Sequence, residues 1–111
     1  MTHAILPWPP KELSPNARVH WAKKAKAAKK YHNECVWLMF PERKQWRGKK
    51  NFSVSFCPPD NRRRDIDNML SSCKALVDAV STITFVDDSE FQFTIPKAPP
   101  VKGGAVRVEA I

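Results

Sequence analysis

Glycine is scarce in this chain, with three residues in 111. Neither a GxGxxG fingerprint nor a GK[ST] phosphate loop occurs, and there is no GxSxG nucleophile elbow. Nucleotide-binding folds of those types and serine hydrolases are therefore excluded as first readings. Cysteine is also thin and odd in number. Cys35, Cys57 and Cys73 stand far apart with no CxxC, and His3, His20 and His32 do not complete zinc-ligand spacing. This argues against structural zinc and for reduced thiols in a cytoplasmic protein. No apolar run approaches the ~20 residues that span a membrane, and "MTHAILPWPP" lacks the basic and long apolar regions of a secretory signal. Acids are in deficit as well: 11 Asp+Glu face 19 Lys+Arg, for a net charge of +8.

A hydrophobic content of 42% is ordinary for a globular protein, and 111 residues suffice for one core and one domain, residues 1–111. In so small a domain the charge excess points to a polyanionic partner, most often nucleic acid.

The chain reads as one α+β unit, a small mixed sheet covered by two helices. "ILPWPP" is a short strand stopped by prolines, and "KELSPNAR" is turn-rich. From Val19 to Met39 helix formers dominate, with Ala22, Ala25, Ala28, Cys35, Leu38 and Met39 spaced to face a core. Lys23, Lys24, Lys26, Lys29 and Lys30 fall in this helix with no acid before Glu34, which makes a phosphate-tracking surface. "PERKQWRGKK" reads as a basic loop. "FSVSF", "FQFTI" and "AVRVEA" alternate as half-buried strands, and "PKAPPVKGG" joins the last two as a hairpin or a longer loop.

Apolar residues at Ile66, Met69, Leu70, Cys73, Leu76, Val77 and Val80 predict a second helix with one buried stripe. On its other side Asp67, Ser71, Lys74 and Asp78 fall within a sector of roughly 60°. Asp65 stands just before, in N-cap position. Arg62, Arg63 and Arg64 precede this pair of carboxylates, and Asp87-Asp88 follow a short apolar stretch. Each feature has an ordinary structural explanation: a cap, an i,i+4 ion pair, a solvated basic face. Together they fit phosphodiester hydrolysis. Mg²⁺ takes oxygen ligands from a few carboxylates, lysine can neutralise developing charge, and arginines grip flanking phosphates bidentately. Pro59-Asp60 suggests a PD-D/ExK nuclease, but no D/E-x-K tripeptide follows. A glycosidase could use paired carboxylates, yet the basic balance and small size argue against a sugar cleft.

Taken in order, "LPWPP", "RRRDIDN", Lys74 with Asp78, and "VDDSEF" resemble the RusA family of Holliday junction resolvases, many of them prophage-encoded. The resemblance covers nearly the whole chain. It implies a small homodimeric α/β domain and an Mg²⁺-dependent endonuclease that nicks four-way DNA junctions symmetrically in recombination and repair. Its catalytic carboxylates, also the metal ligands, match Asp65, Asp67 and Asp88, with Asp87 as a ligand-orienting or alternate group. Its catalytic lysine matches Lys74, and its basic residue before the first carboxylate matches Arg64. The nucleic-acid contacts expected are Arg62, Arg63, Arg64, Lys23, Lys24 and Lys30. Trp8, Trp21, Trp37, Phe40 and Trp46 fall outside the core pattern, and aromatic groups are enriched where proteins pair, so they are the expected dimer interface. A twofold dimer would give two sites for two opposed strands. Two rival readings remain: a basic DNA-binding module of prophage origin without catalysis, and a nuclease for other branched DNA.

Overall fold

The computed structural model describes residues 2–111. Strand β1 (His3–Pro7) leads through a turn of 3-10 helix into α1 (Trp21–Met39), then a single-turn α2 (Arg43–Trp46) and β2 (Asn51–Cys57). Two consecutive helices follow, α3 (Ile66–Ser72) and α4 (Lys74–Thr84), and then β3 (Gln92–Thr94) and β4 (Ala105–Ala110). The sheet order is β1-β4-β2-β3. β4 pairs antiparallel with β1 and β2, while β3 runs parallel to β2. The architecture is α+β with a mixed sheet.

Period-two alternation sets the sheet's inner face. Leu6, Val106 and Phe56 stand opposite one another across three strands, as do Ala4, Val108 and Val54. α1 and α4 cover that face, and Tyr31, Cys35, Met39, Leu76, Ala79, Val80 and Ile83 close the core. The outer face carries Ile5, Arg107 and Ser55 in one row. β3 and β4 are separated by β2, so "PKAPPVKGG" belongs to a long connection rather than a hairpin.

Several expectations need correction. The helix begun at Ile66 is not continuous. Ser72 Oγ donates to the Asn68 carbonyl at 2.9 Å, a back-bond that bends helices. Cys73 leaves helical geometry at φ −100°, ψ 13°, and α4 restarts behind it. As a result α3 buries none of its residues: Ile66 and Leu70 stay exposed, and the buried stripe begins only at Cys73. On α1, Tyr31 takes the core position, whereas Ala22, Ala25 and Leu38 face solvent. "FQFTI" pairs over only three residues, with Phe93 partly exposed. The stretch 41–50 is not all loop, and its Trp46 is fully buried, stacked on Phe52 at 6.2 Å. Trp46 therefore belongs to the core rather than to an interface. Trp8 is half-buried edge-on to Phe56 at 6.5 Å, whereas Trp21, Trp37 and Phe40 are exposed.

The thiols give a direct check on this core. Burial pushes Cys35 and Cys73 from 9.0 up to about 12. Cys57, at the end of β2, is only half-buried. One thiol should react with a disulfide reagent in the native protein and three after denaturation; three fast thiols would contradict the packing. The pH consequence follows in sign. The unfolded thiols ionise first, so their contribution to stability is whole below pH 9.0 and is lost as pH rises toward about 12. Denaturant midpoints should hold between pH 7 and 8.5 and fall above 9, by at most roughly 1.4 kcal/mol per pH unit per thiol.

Candidate nucleic-acid interface and acidic cleft

The segment between β2 and α3 turns sharply because Pro58 and Pro59 cannot continue the sheet ladder. Asp60 then organises the arginines. Its carboxylate accepts from the Arg62 backbone N–H at 2.9 Å, from Arg62 Nη2 at 3.3 Å and from Arg64 Nη1 at 3.0 Å. Arg64 Nη1 also donates to the carbonyls of Asp60 and Arg62, and its guanidinium lies 5.6 Å over the Trp8 ring. Trp8 is itself fixed. Tyr31 Oη donates to the Pro7 carbonyl at 2.6 Å, and Gly104 leaves the space that the indole occupies. A Cβ at Gly104 would lie 2.9 Å from the Trp8 Cβ and 3.1 Å from Pro59, and the glycine holds φ +74°.

Arg62 and Arg64 pair with Asp60, upstream, and not with the carboxylates downstream. Arg64 acts as an internal brace, Arg62 is paired at one end but largely exposed, and Arg63 is in no ion pair among the described residues. Asp65 and Asp67 are likewise outside every ion pair among the described residues. Asp65 has the extended geometry of an N-cap, φ −83°, ψ 136°, without making the side-chain cap bond, so its carboxylate is left over.

The Asp60 brace is testable. The Arg64 guanidinium, then the Arg62 N–H, hold its carboxyl down at about 2, against an ordinary 3.8. The sign is that of a depressed acid: the brace is intact above pH ~4 and is lost as pH falls through about 2. A carbon-13 titration of the Asp60 carboxyl should show a midpoint near 2, and a midpoint near 4 would mean that the arginines are not held.

An open cleft of about 710 Å³ lies over this loop. Trp8, Phe56 and Met69 give it an apolar side, and Lys11, Arg62, Arg63, Asp65 and Asn68 a polar one. Lys11, Asn16 and Trp8 were missed as cleft residues by sequence reasoning. Their only signal was the proline-rich turn "PWPPKELSPN", which gives no direction in space. The lysines of α1 divide. Lys23, Lys26 and Lys30 line a groove of about 430 Å³ that meets the cleft at Trp8 and Pro10. Lys24 lies in another groove with Lys74 and Asp78, of about 460 Å³. Lys74 and Asp78 do not form the i,i+4 ion pair that their spacing allows.

Asp87 and Asp88 lie elsewhere. They follow the C-terminus of α4, whose eleven residues alone span ~16 Å, while Asp65 and Asp67 precede or open α3. Asp87 caps a short 3-10 turn by accepting from the Ser89 N–H at 2.9 Å, a bond that lowers its pKa. Among the described residues no three His, Cys, Asp or Glu side chains are gathered closely enough to hold a metal ion. Within one chain, then, Asp65 and Asp67 form one acidic group, and Asp87 and Asp88 another. Two carboxylates still suit Mg²⁺, which often takes one or two and completes its shell with water and substrate phosphate. Among the described residues no helix is long and apolar enough to cross a membrane.

No family model matches the sequence. A protein of Xylella fastidiosa (strain Temecula1 / ATCC 700964), described only as an uncharacterized protein, is 36% identical over 98 residues. The match covers 82% of this chain, and the chain spans 63% of that relative's length.

Proposed function

We propose that this protein is a RusA-like, Mg²⁺-dependent endodeoxyribonuclease that resolves four-way DNA junctions as a cytoplasmic homodimer. The observation that carries the reading is an unneutralised carboxylate, Asp65, in a cleft whose other charged groups are all cationic, with the equally unpaired Asp67 two residues on in the first turn of α3. A surface evolved only to bind phosphate gains nothing from leaving such charges unpaired there.

Each residue then has a task. Arg63 and Lys11 hold the phosphates that flank the cut. Arg64 and Asp60 keep the loop in shape so that Arg63 and Asp65 face one cleft. Lys74, exposed at the start of α4, balances negative charge on the strand leaving it. Asp65 and Asp67 are the groups of this chain that would hold Mg²⁺, which when bound supplies Lewis-acid stabilisation of charge on the phosphate. Asp88, or Asp87 beside it, can join them only from a twofold-related copy, because its own chain holds it beyond α4. The exposed apolar residues of α3, Ile66 and Leu70, and Trp37 and Phe40 at the end of α1, are available to that second copy.

One observation favours a second reading, a non-catalytic DNA-binding module: among the described residues of one chain no three-ligand metal set is gathered. The experiment that separates them is incubation with labelled four-way junction and linear duplex, with Mg²⁺ or EDTA, and mapping of the cuts. Paired symmetric nicks in the junction, dependent on Mg²⁺, are expected. Tight binding with no cleavage under any divalent cation would leave only the binding module, and cuts confined to flaps or forks would redirect the substrate.

A further inference from the structure

We propose that Trp21 is a stacking platform for an unpaired DNA base, and that the groove between α1 and the α3–α4 pair carries a single strand away from the acidic cleft. The inference rests on the nucleic-acid reading above and goes beyond it by naming the path and the form of the substrate.

Trp21 opens α1 with 76% of its surface in solvent. Its orientation is nevertheless set locally. The His20 ring lies against the indole, centroids 5.5 Å apart at 33°, and His20 Nδ1 accepts the Ala22 N–H at 3.2 Å as the helix cap. The indole stands at a groove floored by Leu13, Ala25 and Ala28. Small alanines leave room for a flat ring beside the indole. Lys24 and Lys74 flank the same groove, and neither is in an ion pair among the described residues. Asp78 is the acid of the groove, one turn beyond Lys74. Ser72 borders both this groove and the cleft that holds Asp65, so the two adjoin there.

The occupant follows from that combination. An apolar peptide would leave two ammonium groups sharing one acid, Asp78, and would bring no negative charge of its own. A continuous duplex keeps its bases stacked on one another and offers the indole no ring face. An unpaired nucleotide supplies both a π-face for Trp21 and phosphates for Lys24 and Lys74. Such nucleotides arise where a branched DNA is opened at its crossover.

The test compares the wild type with Trp21→Ala and Trp21→Phe. Anisotropy would report affinity for a short oligothymidylate and for a duplex of equal length, and the tryptophan emission would be followed in parallel. Trp21→Ala should lose single-strand affinity by roughly five- to a hundredfold while duplex affinity changes less than about twofold, and Trp21→Phe should recover most of the loss. The oligothymidylate should quench emission in the wild type, and the quench should shrink in Trp21→Ala. Unchanged single-strand affinity in Trp21→Ala overturns the proposal and leaves the nuclease reading standing. An equal loss on duplex and single strand overturns it as well, because it assigns Trp21 to general backbone contact. A wild type that binds neither DNA at low salt overturns the proposal together with the reading on which it rests.

Discussion

Asp65→Asn should lower cleavage of a four-way junction at least ~10²-fold, the scale expected when a group holding several kcal/mol of charge stabilisation is removed, with the fold intact. Asp65 is exposed, joins no ion pair among the described residues and makes no side-chain cap bond, and asparagine is an equally good N-cap residue. Its thermal midpoint should therefore stay with the wild type. DNA affinity should hold or rise, because a negative charge facing phosphate is removed. The same outcome is expected of Asp67→Asn, which is also exposed in the first turn of α3. Asp88→Asn should match them, whereas Asp87→Asn keeps an acceptor for the Ser89 N–H and should matter only if Asp87 is the third ligand. Mixing Asp65→Asn with Asp88→Asn chains tests the division of labour: a mixed dimer whose site is shared between copies regains one working site. Single-turnover rates on labelled junction measure all of this. A wild-type rate in any one variant removes that residue from the site.

Much of this arrangement was legible in the chain, for reasons that differ by element. β2 and β4 were readable because alternation decides burial there, and Phe52, Val54, Phe56, Val106 and Val108 are all buried. α1 was readable in extent, but its buried face was not. Alanines carry so little apolar area that their spacing does not fix which side turns inward, and Tyr31, with a hydroxyl that reaches Pro7, took the place. The single helix expected after Asp65 failed after Ser72, where a hydroxyl back-bond to Asn68 bends the helix and the Cys73 N–H turns to the Leu70 carbonyl. That break is local chemistry, but it is invisible to apolar periodicity. The candidate site was legible as a set of residue types and not as a constellation. The chain names Asp65, Asp67, Asp87 and Asp88, but separating them by α3 and α4 is a property of the fold. Asp60 was the residue most undervalued: it was noted only as half of a motif that fails, while the fold uses it to hold two of the three arginines.

That use of Asp60 changes the expected salt dependence of binding. Six cations were candidates for phosphate contact: Lys23, Lys24, Lys30, Arg62, Arg63 and Arg64. Arg64 is only 20% exposed and is held by Asp60, two carbonyls and the Trp8 face, so it cannot release a DNA counterion without dismantling the loop. The other five are free to do so, with Arg62 exchanging one exposed partner for another. With Lys11, which the cleft adds to these five, there are six contacts; at about 0.9 per contact, log affinity for duplex should fall against log salt with a slope near −5.4 per chain, or roughly 1,800-fold between 50 and 200 mM. Arg63→Ala should flatten the slope by about 0.9 and weaken binding to all sequences alike. Arg64→Ala should leave the slope nearly unchanged, because its charge is already spent within the protein, but should move the Asp60 titration back toward the ordinary 3.8. Fluorescence anisotropy across a salt series gives each slope directly. A wild-type slope near zero would remove the electrostatic basis of the nucleic-acid reading. An Arg64→Ala slope as flat as that of Arg63→Ala would show that the brace opens onto DNA when it binds.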